Sequence, residues 1–188
     1  LRAHAEHLLR NHVAELQSTR EMARRYPDRR VALVLEARAL AAAGELRQLD
    51  SALKAWDALP ADVYWSQGAA MVSAFEVLMS QGHVADGRLY GERAVAWLTN
   101  RLVASPSDRA HRYFLGRALY GLGRDRDASV YFEGLAREYP DRLRYRGLAA
   151  LDAARRGDLA AAERWLTPSA ARDTGEVLLF RARFAAIT

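Results

Sequence analysis

The chain has 188 residues, 51% of them hydrophobic and 27% charged, with 28 Lys+Arg against 23 Asp+Glu and a formal net charge of +5. An apolar half with so small a net charge can bury enough surface to offset chain entropy, which excludes a disordered polymer. The chain has no cysteine, which excludes disulfides, thiolate metal sites and thiol nucleophiles, and no run reaches the roughly 20 apolar residues that cross a bilayer.

Taken in order, the helix-period segments run over about 13–26, 30–43, 46–58, 65–81, 84–103, 108–122, 125–138, 143–156, 159–166 and 175–187. At the start, Asn11 either ends a short helix or lies inside one long helix over 2–26. No alternating Val/Ile/Thr run suggests a strand. Between these segments stand all five prolines, Pro27, Pro60, Pro106, Pro140 and Pro168, spaced 33, 46, 34 and 28 residues apart. A proline inside a helix costs about 3 kcal/mol, so this placement is punctuation. Gly44, Gly82, Gly123 and Gly157 fall between the prolines at spacings of 38, 41 and 34 residues. Each follows one helical segment and precedes another, as a glycine ending a helix should. The predicted unit is helix, glycine turn, helix, proline turn.

Internal similarity supports the division, because Ala23-Arg24-Arg25-Tyr26-Pro27-Asp28-Arg29 recurs as Ala136-Arg137-Glu138-Tyr139-Pro140-Asp141-Arg142. A hairpin of this size cannot bury its own apolar face and must stack on others. Between Arg109 and Glu138 the stripe of Tyr113, Leu115, Ala118, Leu119 and Leu122 faces one of Ala128, Tyr131, Phe132 and Leu135. Gly116 and Ala128 should let the two helices approach, with Phe132 filling the space beside them.

These residues resemble the tetratricopeptide repeat. The unit from Arg109 to Arg142 carries Leu115-Gly116, Leu119, Gly123, Ala128, Phe132, Leu135-Ala136 and Pro140 at that family's spacing. The next keeps Gly157 and Ala162 but has Ala149-Ala150 and Leu166 instead of Leu115-Gly116 and Phe132. The unit around Gly44 keeps Ala37, Leu40, Leu53 and Pro60, and that around Gly82 departs most, with about seven extra residues before Pro106 and glycines at 87 and 91. The resemblance implies one all-α domain over 1–188, a right-handed α-α superhelix of hairpins with units of about 1–29, 30–67, 68–108, 109–142 and 143–176 and a partial one over 177–188. It implies a non-catalytic protein-interaction scaffold or regulatory module, such as those joined to bacterial multidomain signalling proteins and transcription regulators. By matching positions, the peptide-binding groove would be lined by Arg38, Glu76, Tyr113, Arg117, Tyr120, Arg144 and Arg155, arginines that favour an acidic or C-terminal carboxylate segment. The Lys and Asn pattern of a chaperone-tail carboxylate clamp is missing. A small-molecule-sensing regulatory domain is the alternative.

Other chemistry is poorly represented. His4 and His7 share a helix face, but His12 lies roughly 80° around a continuous helix from His4 at 3.6 residues per turn. They read as exposed polar histidines, and no metal, cofactor or catalytic group is expected. Gly121-Leu122-Gly123-Arg124 follows a helix rather than a strand and reads as a turn, not a dinucleotide fingerprint. Lys54 is the single lysine among the 28 basic residues, and the sequence pI near 9.9 invites a nucleic-acid reading. Its one foothold is Arg137, Arg142, Arg144 and Arg146 with Tyr139 and Tyr145 interleaved; elsewhere acids alternate with the arginines, as on a solvated helix surface, so nucleic acid is not the expected partner. With no membrane-spanning run, the expected location is cytoplasmic. The start at Leu1 suggests a piece of a larger protein. The segment from Glu176 to Thr188 should leave Val177, Phe180 and Phe184 uncovered, a possible surface for self-association.

Overall fold

The computed structural model describes residues 2–26, 30–56, 65–167, 180 and 185. Among the described residues the chain is all-helical: α1 (Arg2–Leu8), α2 (His12–Arg25), α3 (Arg30–Ala42), α4 (Leu46–Ala55), α5 (Gln67–Ser80), α6 (Val84–Ala104), α7 (Arg109–Gly121), α8 (Asp125–Glu138), α9 (Leu143–Arg155) and α10 (Leu159–Leu166). Their bounds follow the apolar periodicity to within a few residues. The expected ends of α4 and most of 175–187 lie outside the described residues, as do Pro27, Pro60 and Pro168.

The turn inside each hairpin is the same device. Between α3 and α4, Gly44 takes φ +73°, its N–H donates to Ala41 O at 3.1 Å, and the Glu45 N–H donates to Leu40 O at 2.9 Å. These two bonds make a Schellman motif, which satisfies the last carbonyls of the helix and needs a left-handed residue at its corner. Gly82, Gly123 and Gly157 repeat it. So does the start of the chain, with an arginine at the corner: Arg10 takes φ 56°, Arg10 N–H donates to His7 O at 3.0 Å and Asn11 N–H to Glu6 O at 2.9 Å. Arg10 precedes Gly44 by 34 residues. Helices α1 and α2 are therefore a hairpin of the same type, and Asn11 begins α2 as its N-cap, accepting from the Ala14 N–H at 3.2 Å.

The chain divides into two compact units, Leu1–Ser105 and Pro106–Thr188, beside the boundary expected near 108. In the first, α2 packs on α3, α3 on α4 and α5, and α5 on α6, enclosing Leu40, Leu49, Leu53, Phe75, Leu78, Tyr90 and Leu98. In the second, α7 packs on α8, α8 on α9 and α9 on α10, around Phe114, Leu115, Leu119, Phe132 and Leu135. Gly116 is the point of closest approach of α7 and α8: a Cβ there would lie 2.7 Å from Phe132 Cε1 and 3.2 Å from Tyr131 Cβ. The small residue and the ring beside it pair as the sequence suggests.

The departures around Gly82 have physical causes. Helix α6 has 21 residues where α8 has 14, so the insertion is absorbed as two further helical turns, which change the direction of the buried face by only about 20°. Gly87 lets α6 meet α5, since a Cβ on it would lie 2.8 Å from Met79 Sδ and 3.3 Å from the Met79 backbone nitrogen. One expectation is corrected: Phe180 is helical and only 6% exposed, its ring set against Gly147 of α9 where a Cβ would collide with it. The missing side chain at Gly147 makes the seat, so Phe180 does not belong to an uncovered face. Val177 and Phe184 lie outside the described residues.

Candidate functional site

Arg38, Glu76 and Arg117 each stand six residues before a turn glycine, at Gly44, Gly82 and Gly123. The structure gives them different surroundings. In the first unit Arg38 is committed to an internal partner: its Nε and NH2 lie 2.9 and 2.7 Å from Glu15 Oε1, and the Glu15 side chain is fully buried. Glu76 is half-buried on α5.

In the second unit the residues come together. Tyr113, Arg117 and Tyr120 recur at helical spacing along one side of α7. The Arg117 guanidinium lies 5.3 Å from the Tyr113 ring centroid and 5.6 Å from that of Phe114, and its NH1 reaches the Tyr113 hydroxyl at 3.4 Å. Helix α9 completes the face, for Arg155 stacks 3.5 Å from the Tyr120 centroid and donates to the Tyr120 carbonyl and the Asp125 carboxylate. Tyr113 itself is buried, against Tyr145 with ring centroids 5.8 Å apart. It supports Arg117 from beneath and does not offer its own surface, a correction to its expected place on the groove wall. Arg144 is exposed on α9 beside Tyr145.

An arginine stacked on aromatic rings loses less freedom when it grips a carboxylate. Arg117, half-buried and stacked, has that character. Below the face, Asp152 is fully buried and accepts from Arg156 Nε at 2.9 Å. Burial pushes its carboxyl above the ordinary aspartate range despite that bond.

The second arginine cluster has a different fate. Arg137 donates to Glu133 at 2.5 Å and lies over the Trp165 ring. Arg146 donates to the carbonyls of Trp165 and Thr167. Tyr145 is buried, and Tyr139 meets it edge-on while Arg109 covers the Tyr139 ring. The Tyr145 ring is thus taken up by protein, and Arg109 lies over one face of the half-buried Tyr139.

Sequence reasoning missed Glu15. Its position, five residues after the turn, is filled in the other hairpins by Leu49, Gly87, Ala128 and Ala162, all buried. One carboxylate at an otherwise apolar core position has no sequence signal until the hairpins are aligned on Arg10, which the absence of a glycine there conceals. His7 and His12 flank it across the turn, whereas His4 is not part of the group. No model of a known protein family matches the chain, and no curated protein matches it in sequence.

Proposed function

We propose that the chain is a tetratricopeptide-like array, a right-handed superhelix of five hairpins that binds a peptide or protein segment and acts by binding rather than catalysis. The observation that carries the reading is the fivefold recurrence of one Schellman turn, at Arg10, Gly44, Gly82, Gly123 and Gly157, within hairpins of which first helices such as α3 and α5 lie side by side. Repetition of this kind builds an extended surface from equivalent positions. The chemistry of the partner is suggested by Arg117, held on aromatic rings in the second unit: a segment carrying carboxylates, its own C-terminus included, gains charge-assisted bonds there. A regulatory role in the cytoplasm, as part of a larger signalling protein, accords with such a surface.

The test is fluorescence anisotropy with labelled peptides ending in several Asp or Glu residues, set against amidated, charge-neutral counterparts. Acidic peptides should bind, weaken as salt rises, and lose at least about tenfold in affinity with Arg117→Ala, as the loss of one charge-assisted bond of about 1.5–3 kcal/mol requires. Equal binding of acidic and neutral peptides, or an unchanged affinity in R117A, would sink the assignment of this face.

A further inference from the structure

We infer that His7, His12 and Glu15 form a binding site for a divalent transition-metal ion such as Zn2+, built across the first hairpin turn. Glu15 Oε2 lies 2.8 Å from His7 Nδ1 and 3.3 Å from His12 Nδ1, and one ligand atom from each of the three residues falls within 4.8 Å of the others. Tetrahedral zinc with bonds of about 2.1 Å needs ligand atoms about 3.4 Å apart, so small rotations of the two rings admit the ion. Two imidazoles and a carboxylate suit zinc, and they leave a fourth position for water.

The surroundings are those of a metal site more than of a core. Glu15 is 0% exposed at a position where the other hairpins carry Leu49, Gly87, Ala128 and Ala162. A carboxylate there is costly unless charged groups meet it. Arg38 engages only Oε1, which orients the carboxylate and leaves Oε2 to the histidines, the outer-shell support that ligating carboxylates usually have. His7 and His12 remain partly open to solvent, with side chains 24% and 21% exposed, so an ion and its water can enter. Binding at Nδ1 sends each ring proton to Nε2. For His12 that nitrogen lies 3.3 Å from the Gln81 amide nitrogen, which also donates to the Ala42 carbonyl, so the ring must turn from Gln81 as it takes up the ion.

The Arg38 charge opposes a dication, so the expected affinity is moderate. The turn brings the ligands together: in one continuous helix His12 would lie away from His7, while the left-handed Arg10 folds α2 back on α1. An ion bound there would pin α1 to α2 and, through Arg38, to α3.

The test uses the whole chain, stripped with a chelator and titrated calorimetrically with zinc chloride near pH 7.5. One equivalent should bind, with affinity lowered at least about tenfold in His7→Ala and in His12→Ala and unchanged in His4→Ala and His111→Ala. Cobalt supplies a reading that needs no variant: Co2+ in the wild-type protein should give the intense visible absorption of a four-coordinate site, bleached by added Zn2+. No binding to the folded wild-type chain, a cobalt spectrum of the pale six-coordinate kind, or affinity preserved in both H7A and H12A would each overturn the site.

Discussion

Arg10 holds a left-handed backbone conformation, φ 56°, in which its Cβ crowds the neighbouring carbonyl at a cost of roughly 1 kcal/mol. The four equivalent corners are glycines. Arg10→Gly should therefore raise stability by about 0.5–1 kcal/mol, read as a higher urea midpoint at unchanged slope, and Gly123→Ala should lower it by about 1 kcal/mol. Two carboxylates give opposite pH signatures. Burial would raise Asp50, but hydrogen bonds from Arg93 and Tyr90, at 2.6 and 2.9 Å, outweigh it and hold the carboxyl below the ordinary range. Its contribution is present above the unfolded-state value of about 3.9 and is lost as pH falls through the lower folded value. Asp50→Asn should cost about 0.5 kcal/mol at pH 7, a small figure because the pair is half-exposed, and progressively less as pH falls through the folded value. Tyr90, buried and donating to Asp50, is pushed up to about 12 and stays protonated throughout. Asp152 is raised by burial, so its contribution is complete below the unfolded-state value and is lost as pH rises through the folded one. Asp152→Asn should gain on the wild-type chain between acid and neutral pH in paired urea titrations.

At the scale of elements, the hairpins depend on a few close approaches. Gly116→Val would drive a branched side chain into Phe132, which lies 2.7 Å from the Cβ position, and should cost about 2 kcal/mol. Phe132→Ala should cost about 3–4 kcal/mol because the ring is fully buried and the cavity left cannot collapse between two helices. Both values come from denaturant midpoints, and near-additive costs in the double variant would show the two residues to be uncoupled. Helix starts and stops were legible because proline, glycine and apolar period act within a few residues of themselves. Arg10 was illegible for the same reason: nothing local marks an arginine that takes the glycine's conformation, and the α1–α2 hairpin shows itself only through its hydrogen bonds. Tyr113 and Phe180 were misplaced because periodicity says which side of a helix is apolar, not which neighbour covers it.

Across the described residues, several arginines serve the fold. Arginines bridge helices through Arg112 to Glu138, Arg93 to Asp50 and Arg156 to Glu133, and Arg155 and Arg137 lie on aromatic rings. No helix among the described residues is long and apolar enough to cross a membrane. Burial of the Tyr145 ring and the Arg109 cation over Tyr139 reduce the ring surface on which bases could stack in the arginine cluster of the second unit. Filter binding at moderate salt should retain no more oligonucleotide than a control protein of equal charge, and specific retention with a steep salt slope would restore that reading.

The sequence by itself determined the all-helical class of the described residues, the bounds of most helices after Asn11 and four of the five hairpin turns, since these rest on backbone sterics and on apolar period, which are local. Only the tertiary structure decided that Glu15 meets His7, His12 and Arg38, that Arg155 of α9 stacks on Tyr120 of α7, and that Phe180 finds its seat at Gly147. Those outcomes depend on which residues distant in the chain become neighbours. Excluding water from between them converts an unremarkable carboxylate or arginine into a group whose charge must be answered by a particular partner.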